Sequence, residues 1–298
     1  MEKITIIGTG NVAYHLGKRF KEKGFDIAEI VGRNAEKGTQ LATLFHTHFQ
    51  NNFKKIKTDS DLYIIAVSDA AIENVAKNMA QSLDNQWVVH TSGSMPSTVL
   101  ESYFKHYGSF YPLQTFSIGS QPDFEIIPIF INATPSLCKS PHGHDFTDFL
   151  KKTALKISPF VYELSDEQRI VLHIAAVFVN NFTNHLYAIG EKIVAQHGLP
   201  FDVLKPLIFE TVNKIQKHSP EDMQTGPARR GDTVTIEKHL DYLSKNTHPL
   251  RGESFGQYLD IYKILTDSII NVASDLSEPV ASSLGEPVST DLPVSDIE

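Results

Sequence analysis

The sequence of 298 residues lacks multiple cysteines, long apolar runs and an excess of basic residues. A single cysteine, Cys138, excludes an internal disulfide and any site built from several thiolates. The histidine pairs His46/His48 and His142/His144 have no neighbouring cluster of carboxylates or thiols, so we assign no metal. No apolar run approaches the roughly 20 residues that span a bilayer. Lys and Arg number 27 against 35 Asp and Glu, which argues against a nucleic-acid partner.

The acidic residues are concentrated at the end of the sequence. Residues 275–298 hold six acidic residues, no basic residue and no aromatic residue, whereas the rest holds 29 acidic and 27 basic residues. Such a segment buries too little apolar surface to offset its ordering entropy, so we predict a disordered acidic tail. The sequence begins directly with a strand pattern and without signal-peptide architecture, so we expect a cytoplasmic protein with no membrane partner.

Residues 1–164 alternate short apolar runs with helical stretches. Runs rich in Ile and Val are typical of strands buried on both faces of a parallel sheet. We predict strands at 4–7, 27–31, 62–67, 87–90, 110–116, 126–133 and 158–164, and helices at 12–23, 35–45 and 71–82. This repetition predicts an α/β domain over 1–164, with a doubly wound, mostly parallel sheet.

A different pattern begins at Ser165. The segment 165–168 is suited to cap a helix, and no Gly or Pro follows until Gly190. Further helical patterns cover 201–217, 235–245 and 253–273. We therefore predict a mainly α-helical second domain over 165–274.

A glycine-rich turn follows the first predicted strand and opens a helix. The turn fits the pattern G-x-G-x-x-G/A, and its residues are Gly8, Thr9, Gly10, Asn11, Val12 and Ala13. Gly8 permits the tight turn, and Gly10 lets the backbone approach a pyrophosphate at the helix N-terminus. We predict that these six residues bind a dinucleotide; an ordinary glycine turn is the alternative.

The end of the second predicted strand indicates which dinucleotide binds. NAD sites place Asp or Glu there, where it binds the ribose 2′-hydroxyl. This sequence has Arg33 and Asn34, and the Arg33 guanidinium is suited to a 2′-phosphate, with Lys37 nearby. Glu29 is close in sequence, but strand alternation places it inside the strand. We predict NADP as the cofactor; a solvated arginine at a strand end is the alternative.

Two later loops follow predicted strands of the same sheet. Ligands of such sheets bind at the carboxyl ends of the strands, so we expect both loops to contact a ligand. Val67 and Ser68 follow one strand, and we predict that they contact the cofactor. Ser92 and Gly93 follow the next strand, and we predict that they contact a carboxylate or carbonyl of the substrate. Turn formation and helix capping are the alternative roles of Ser92 and Ser94 in this loop.

These motifs together carry a family resemblance. They are the glycine turn, the Gly32-Arg33-Asn34 tip, the 90–94 loop, Tyr111-Pro112-Leu113-Gln114-Thr115-Phe116, and 225–232 followed by His239-Leu240. Over about 1–274 the sequence resembles the Rossmann-like, DUF2520-containing oxidoreductases, relatives of pyrroline-5-carboxylate reductase and coenzyme F420-dependent NADP reductase. The resemblance implies a Rossmann domain, a helical domain like that of 6-phosphogluconate dehydrogenase, and a homodimer formed through it. Tyr111 departs from the family's His-Pro-Leu-Gln form.

Related β-hydroxyacid dehydrogenases carry Lys-x-x-x-Asn on the long interdomain helix. Asn181 matches the Asn, but Val177 stands at the lysine position. At α-helical spacing His173, Val177, Asn181 and Asn184 share a face. We predict His173 as the general acid, because imidazole titrates near neutrality, and Asn181 as an amide that contacts substrate or nicotinamide. A packing role for His173 is the alternative.

The segment 226–232 is predicted to be a loop in which Arg230 binds a substrate carboxylate, or pairs structurally with Asp232. The whole sequence predicts an NADP-dependent oxidoreductase that reduces a small C=O or C=N substrate bearing a carboxylate. A dinucleotide-binding sensor or partner module without turnover is the alternative, favoured by the missing lysine and by Tyr111. Hydride exchange between NADP and a deazaflavin is a third possibility.

Overall fold

The computed structural model describes residues 2–83, 85–134, 145–245 and 256–275. The chain forms two compact units, Met1–Thr183 and Asn184–Glu298. The predicted acidic tail, apart from its first residue, lies outside the described residues, as do Cys138, His142 and His144. No helix in the described part of the chain is both long and apolar enough to cross a membrane.

An eight-stranded sheet forms the first unit. Its strands are β1 Lys3–Ile7, β2 Asp26–Val31, β3 His48–Gln50, β4 Leu62–Ile65, β5 Trp87–His90, β6 His106–Pro112, β7 Ile129–Ala133 and β8 Val161–Glu163. They are ordered β3-β2-β1-β4-β5-β6-β7-β8. All neighbouring pairs are parallel except β6 and β7. The predicted doubly wound, mostly parallel sheet is confirmed, and its first six strands have the Rossmann order.

Helices cover both faces of this sheet. They are α1 Asn11–Glu22, α2 Ala35–Phe45, α3 Asp69–Met79 and α4 Phe146–Ile157. Successive β1 side chains point to opposite faces, so Ile6 packs in the core that includes α1, α2 and α4, and Ile7 packs in the core that includes α3. Because β1 to β6 run parallel, their carboxyl ends lie at one shared edge of the sheet.

Several details of the first unit differ from the prediction. The strands predicted at 62–67, 126–133 and 158–164 are shorter, at Leu62–Ile65, Ile129–Ala133 and Val161–Glu163. The short strand β3 and the helix α4 were not predicted. The strand predicted at 110–116 is found at His106–Pro112, because it begins in the polar stretch His-Tyr-Gly-Ser, which lacks the apolar pattern. It ends at Pro112, which has no backbone N–H to donate to a neighbouring strand.

A long helical segment begins after β8. It consists of α5 Asp166–Ala176, a π-helical turn Val177–Phe182 and α6 Thr183–Ala195. Ser165 caps α5 as predicted, since its hydroxyl accepts the Gln168 N–H at 3.2 Å and the Gln168 side chain accepts the Ser165 N–H at 2.9 Å. The prediction that His173, Val177, Asn181 and Asn184 share a face assumed uninterrupted α-helical spacing, which the π turn interrupts, and it stays a prediction.

The described part of the second unit is helical. Beyond α6 it contains a 3₁₀ turn Phe201–Leu204, α7 Lys205–Ile215, α8 Pro227–Arg230, α9 Thr233–Lys245 and α10 Gly256–Asp275. The predicted loop at 226–232 is wrong in part, since it contains the single turn α8. Gly226 and Gly231 bound that turn with φ of 107° and 65°, which favour glycine. Asp232 then caps α9 by accepting the Thr235 N–H at 3.0 Å.

Candidate functional site

The turn between β1 and α1 requires glycine at its first position. Gly8 has φ of +138°, and a Cβ there would lie 2.0 Å from the Ala66 carbonyl oxygen. A Cβ on Gly10 would meet no atom within 4 Å, so the space beside this turn is open to a ligand. Gly10 provides no side-chain cap for α1, and the first N–H groups of that helix are therefore available to an anion.

A cleft of about 780 Å³ opens along this edge of the sheet. Nine of the ten predicted cofactor residues line it: Gly8, Thr9, Gly10, Asn11, Val12, Arg33, Asn34, Val67 and Ser68. Ala13 does not, because it is buried beneath the turn against the core. Sequence reasoning missed other lining residues, which include Phe53 from a 3₁₀ turn and Gln114 and Phe116 from the loop after β6. The structure thus brings the predicted cofactor residues together.

Arg33 is the only charged side chain among the described residues that line the cleft. Glu29 is 2% exposed, and its carboxylate accepts the Lys57 N–H at 2.6 Å. Burial raises the pKa of Glu29 above its ordinary value. The predicted position of Glu29 inside the strand rather than at its end is confirmed. Among the described residues, the cleft lining offers no carboxylate to a ribose hydroxyl.

Asn34 has a structural role at the same strand end. Its side-chain oxygen accepts the Lys37 N–H at 2.9 Å and caps α2. The side-chain oxygen of Asn34 is therefore engaged in the helix cap, although the residue itself lines the cleft.

The loop after β6 is tied to α1. The Asn11 amide donates to the Phe116 carbonyl oxygen at 2.8 Å, and His15 contacts the Ser117 carbonyl oxygen at 2.9 Å. The His15 ring also stacks on Phe116, with 5.1 Å between ring centroids. These contacts hold Gln114 and Phe116 in the cleft wall.

The loop after β5 is ordered by its own polar groups. His90 is buried, its Nδ1 accepts the Ser92 N–H at 3.1 Å, and burial lowers its pKa to about 4. The Ser92 hydroxyl oxygen accepts the N–H groups of Ser94 and Met95 at 3.2 and 3.0 Å. The Ser94 hydroxyl donates to Asp69. The structure shows the turn-forming role of both serines, and substrate contact by Ser92 stays a prediction.

Gly93, Tyr111 and His173 meet at this edge of the sheet. The Tyr111 hydroxyl and His173 Nδ1 are 3.1 Å apart, and their rings are edge to face. A Cβ on Gly93 would lie 2.6 Å from His173 Nδ1 and 2.8 Å from Tyr111 Cζ. Gly93 therefore serves this contact by having no side chain. Thr91, two residues before Gly93, lines the cleft, so the loop that contacts the pair also contributes to the cleft.

A buried arginine, which sequence reasoning missed, holds α5 in place. Arg169 is 1% exposed and donates to Ser109 at 2.7 Å, to Asp166 at 2.7 Å and to the Met95 carbonyl oxygen. Asp166 also accepts the Ser97 N–H at 2.7 Å. Burial raises the pKa of Asp166, but the hydrogen bonds from Arg169 and Ser97 outweigh it and leave that pKa below its ordinary value. This network fixes the first turns of α5, and His173 follows Arg169 by one turn.

Two predicted site residues lie elsewhere. Asn181 is exposed within the π turn and is not part of the cleft lining. The exposure of Asn181 therefore gives no independent support to its predicted role. Arg230 is exposed on α8 of the second unit. The roles of Asn181 and Arg230 stay predictions.

Comparisons with known proteins agree with this architecture. Residues 3–93 match the family described as NADP oxidoreductase coenzyme F420-dependent, and residues 143–269 match the domain of unknown function DUF2520. A solved structure of a candidate NADP oxidoreductase from Bacteroides fragilis is 35% identical, with a TM-score of 0.79, and the match covers 91% of this chain and 98% of that one. The chain belongs to the DUF2520-containing oxidoreductase family.

Less similar solved structures share the fold. A protein from Thermotoga maritima is 21% identical with a TM-score of 0.64, covering 92% of this chain and 100% of that one. An imine reductase from Myxococcus stipitatus, solved in complex with NADP+, is 14% identical with a TM-score of 0.56, covering 92% and 93%. A comparison with curated proteins finds no match.

Proposed function

We propose that this protein is an NADP-dependent oxidoreductase that reduces a small C=O or C=N compound bearing a carboxylate. The observation that carries the proposal is the cleft beside the glycine turn, whose only charged lining side chain in the described chain is Arg33. A dinucleotide with an added phosphate complements that charge, whereas a free ribose hydroxyl would find no carboxylate among the described lining residues. The imine reductase of Myxococcus stipitatus binds NADP+ on the same fold, which supports this assignment.

Different residues of the chain bind different parts of the cofactor in this proposal. The N–H groups at the start of α1 face the pyrophosphate position, and the open space beside Gly10 admits it. The Arg33 guanidinium binds the 2′-phosphate. The cofactor, when bound, supplies the hydride, while the protein orients the substrate, excludes water and provides a proton.

His173 is the proton donor in this proposal. The Arg169 network holds the helix that carries it against the strand ends, and Gly93 and Tyr111 contact it directly. Ser92 and Gly93 belong to the substrate side of the loop after β5. Asn181 and Arg230 are proposed as further substrate contacts.

We also propose a homodimer formed through the helical unit. Among its described residues this unit buries only the apolar side chains of Ile189, Ala228 and Leu243. Large apolar side chains such as Leu207, which is 67% exposed, face outward on several helices. A surface of this kind is typical of an interface between subunits.

Light scattering tests the homodimer. We expect a particle of about twice the 33.3 kDa chain mass, and dissociation in Leu207→Glu. Lys217→Glu, an exposed polar position of the same unit, serves as the control. A monomeric wild-type protein would exclude the proposal.

Binding and turnover test the reductase function separately. Titration with NADPH and NADH should show tighter binding of NADPH. A screen of carbonyl and imine acids should then show NADPH oxidation that is lost in His173→Ala and reduced in Asn181→Ala. Binding without turnover on any such compound would favour a dinucleotide sensor, for which the Val177 position without lysine is the supporting observation. Turnover only with an added deazaflavin would favour hydride exchange.

A further inference from the structure

Three separate elements contribute to one contact at the strand ends. Gly93 comes from the loop after β5, Tyr111 from β6 and His173 from α5. The Tyr111 hydroxyl lies 3.1 Å from His173 Nδ1, and the missing Gly93 side chain leaves the room for both groups. Residues so far apart in the sequence are brought together here by the sheet and by the buried Arg169.

We propose that Tyr111 is a positioning residue, which binds His173 through Nδ1 so that Nε2 is the nitrogen presented to the substrate. The inference rests on the proposed reductase function. Tyr111 is 9% exposed, whereas His173 is partly exposed, so the accessible end of the pair is the imidazole. The hydrogen bond on one ring nitrogen decides which atom the other nitrogen offers for chemistry.

A hydroxyl is suited to this task because it both donates and accepts. When His173 is neutral, the Tyr111 hydroxyl donates to Nδ1 and the ring proton is on Nε2. When His173 is protonated, Nδ1–H donates to the Tyr111 oxygen. Burial raises the pKa of Tyr111 above its ordinary value, so the hydroxyl stays protonated at neutral pH. The charged groups that act on Tyr111 are Arg169 and Asp69.

The proton transfer balances within the proposed reaction. The Nε2–H bond of protonated His173 breaks, and an O–H or N–H bond forms on the substrate, whose carbon receives the hydride that NADPH supplies. Immediately after the transfer, neutral His173 holds its remaining proton on Nδ1 and donates it to the Tyr111 oxygen, in a transient tautomer that differs from the resting neutral form with its proton on Nε2. Solvent then reprotonates Nε2. Tyr111 therefore accommodates both states of His173 without adding a charge.

Tyr111→Phe in the full chain tests this inference. The protein is labelled with ¹⁵N-histidine, the His173 signals are assigned by their loss in His173→Gln, and spectra are recorded at about pH 8.5, where an ordinary histidine is neutral. We expect wild-type His173 to be a single tautomer with its proton on Nε2, and Tyr111→Phe to show a mixture of tautomers. NADPH affinity should stay within about twofold, and kcat should fall about tenfold, the size expected when one hydrogen bond is lost.

Two further variants make the outcome decisive. Tyr162→Phe is the matched control, because Tyr162 stacks on Phe130 in the same sheet, and it should leave the His173 tautomer unchanged. Gly93→Ala should reproduce the mixture of tautomers, because its Cβ would separate the pair. An unchanged single Nε2–H tautomer in both Tyr111→Phe and Gly93→Ala would overturn the inference. Absence of NADPH binding by the wild type would instead refute the proposed function, since the tautomer measurement needs no cofactor.

Discussion

Arg33 provides the most direct prediction about the cofactor. It is exposed, and it makes no hydrogen bond or ion pair with another described residue. Arg33→Ala therefore removes the cation of the cleft without breaking a hydrogen bond or ion pair to the part of the chain that the structure describes. The change isolates the interaction between the guanidinium and the 2′-phosphate.

The expected size follows from one charge-assisted hydrogen-bonding group. Such a bond contributes about 1.5–3 kcal/mol, and each ~1.4 kcal/mol is a tenfold change in Kd. Because Arg33 is exposed, solvent and salt screening place the effect near the lower limit, so we expect the Kd of NADPH to rise about 10-fold to 30-fold. The Kd of NADH should change less than about twofold, because NADH has a hydroxyl at that position. Arg33→Lys should lie between, since it keeps the charge and loses the planar pair of donors.

Fluorescence titration of both cofactors at low and moderate salt measures these changes. Lys151→Ala is the control, since it also removes one exposed cation, at the opposite end of the sheet, where Lys151 pairs with Glu163 at 3.3 Å. Equal weakening of NADPH and NADH in Arg33→Ala would refute the assignment of Arg33 to the 2′-phosphate, as would no change in either.

Three further predictions concern stability and binding. Gly8→Ala should abolish NADPH binding and lower Tm, because its Cβ would lie 2.0 Å from the Ala66 carbonyl oxygen. Burial lowers the pKa of His90 to about 4, so the folded state disfavours its protonated form. The free energy of unfolding, measured with urea, should therefore fall by up to about 3 kcal/mol from pH 6.5 towards pH 4. His90→Asn, which retains an acceptor for the Ser92 N–H, should flatten that fall. Burial raises the pKa of Glu29, so the folded state favours its protonated form. The stability that this form contributes is lost as the pH rises above about 4.5, the ordinary pKa of Glu. The free energy of unfolding of Glu29→Gln, relative to that of the wild type, should therefore increase between about pH 4 and about pH 7.

The strands and helices that the sequence predicted well are those with a strong apolar pattern. The runs within β1, β2, β4 and β5 are buried on both faces, and such runs contain Ile and Val with little interruption. β3 has three residues, which are too few to show a period. The helix α4 was missed although Asp145 caps it and its apolar residues recur at helical spacing, so that signal was present in the sequence.

The candidate site was predictable where a local motif carries it. Prediction of the glycine turn and of Arg33 at the end of β2 required only residues close together in the sequence, and both features line the cleft. The contact between Tyr111 and His173 joins residues 62 positions apart, and Arg169 reaches Met95 across 74 positions. No periodicity encodes such pairings, because they depend on which strands become neighbours in the sheet.

The π turn leaves the missing lysine in the same relation to Asn181. The comparison with Lys-x-x-x-Asn placed Val177 one α-helical turn before Asn181. A π turn, with hydrogen bonds from i to i+5, has more residues per turn than an α-helix, and Val177 still lies about one turn before Asn181. The absence of lysine therefore remains an argument for the sensor alternative. In the proposed reductase the proton has to come from another side chain. His173 is the proposed donor because Arg169 fixes its helix α5 to the sheet and because Gly93 and Tyr111 lie against its ring.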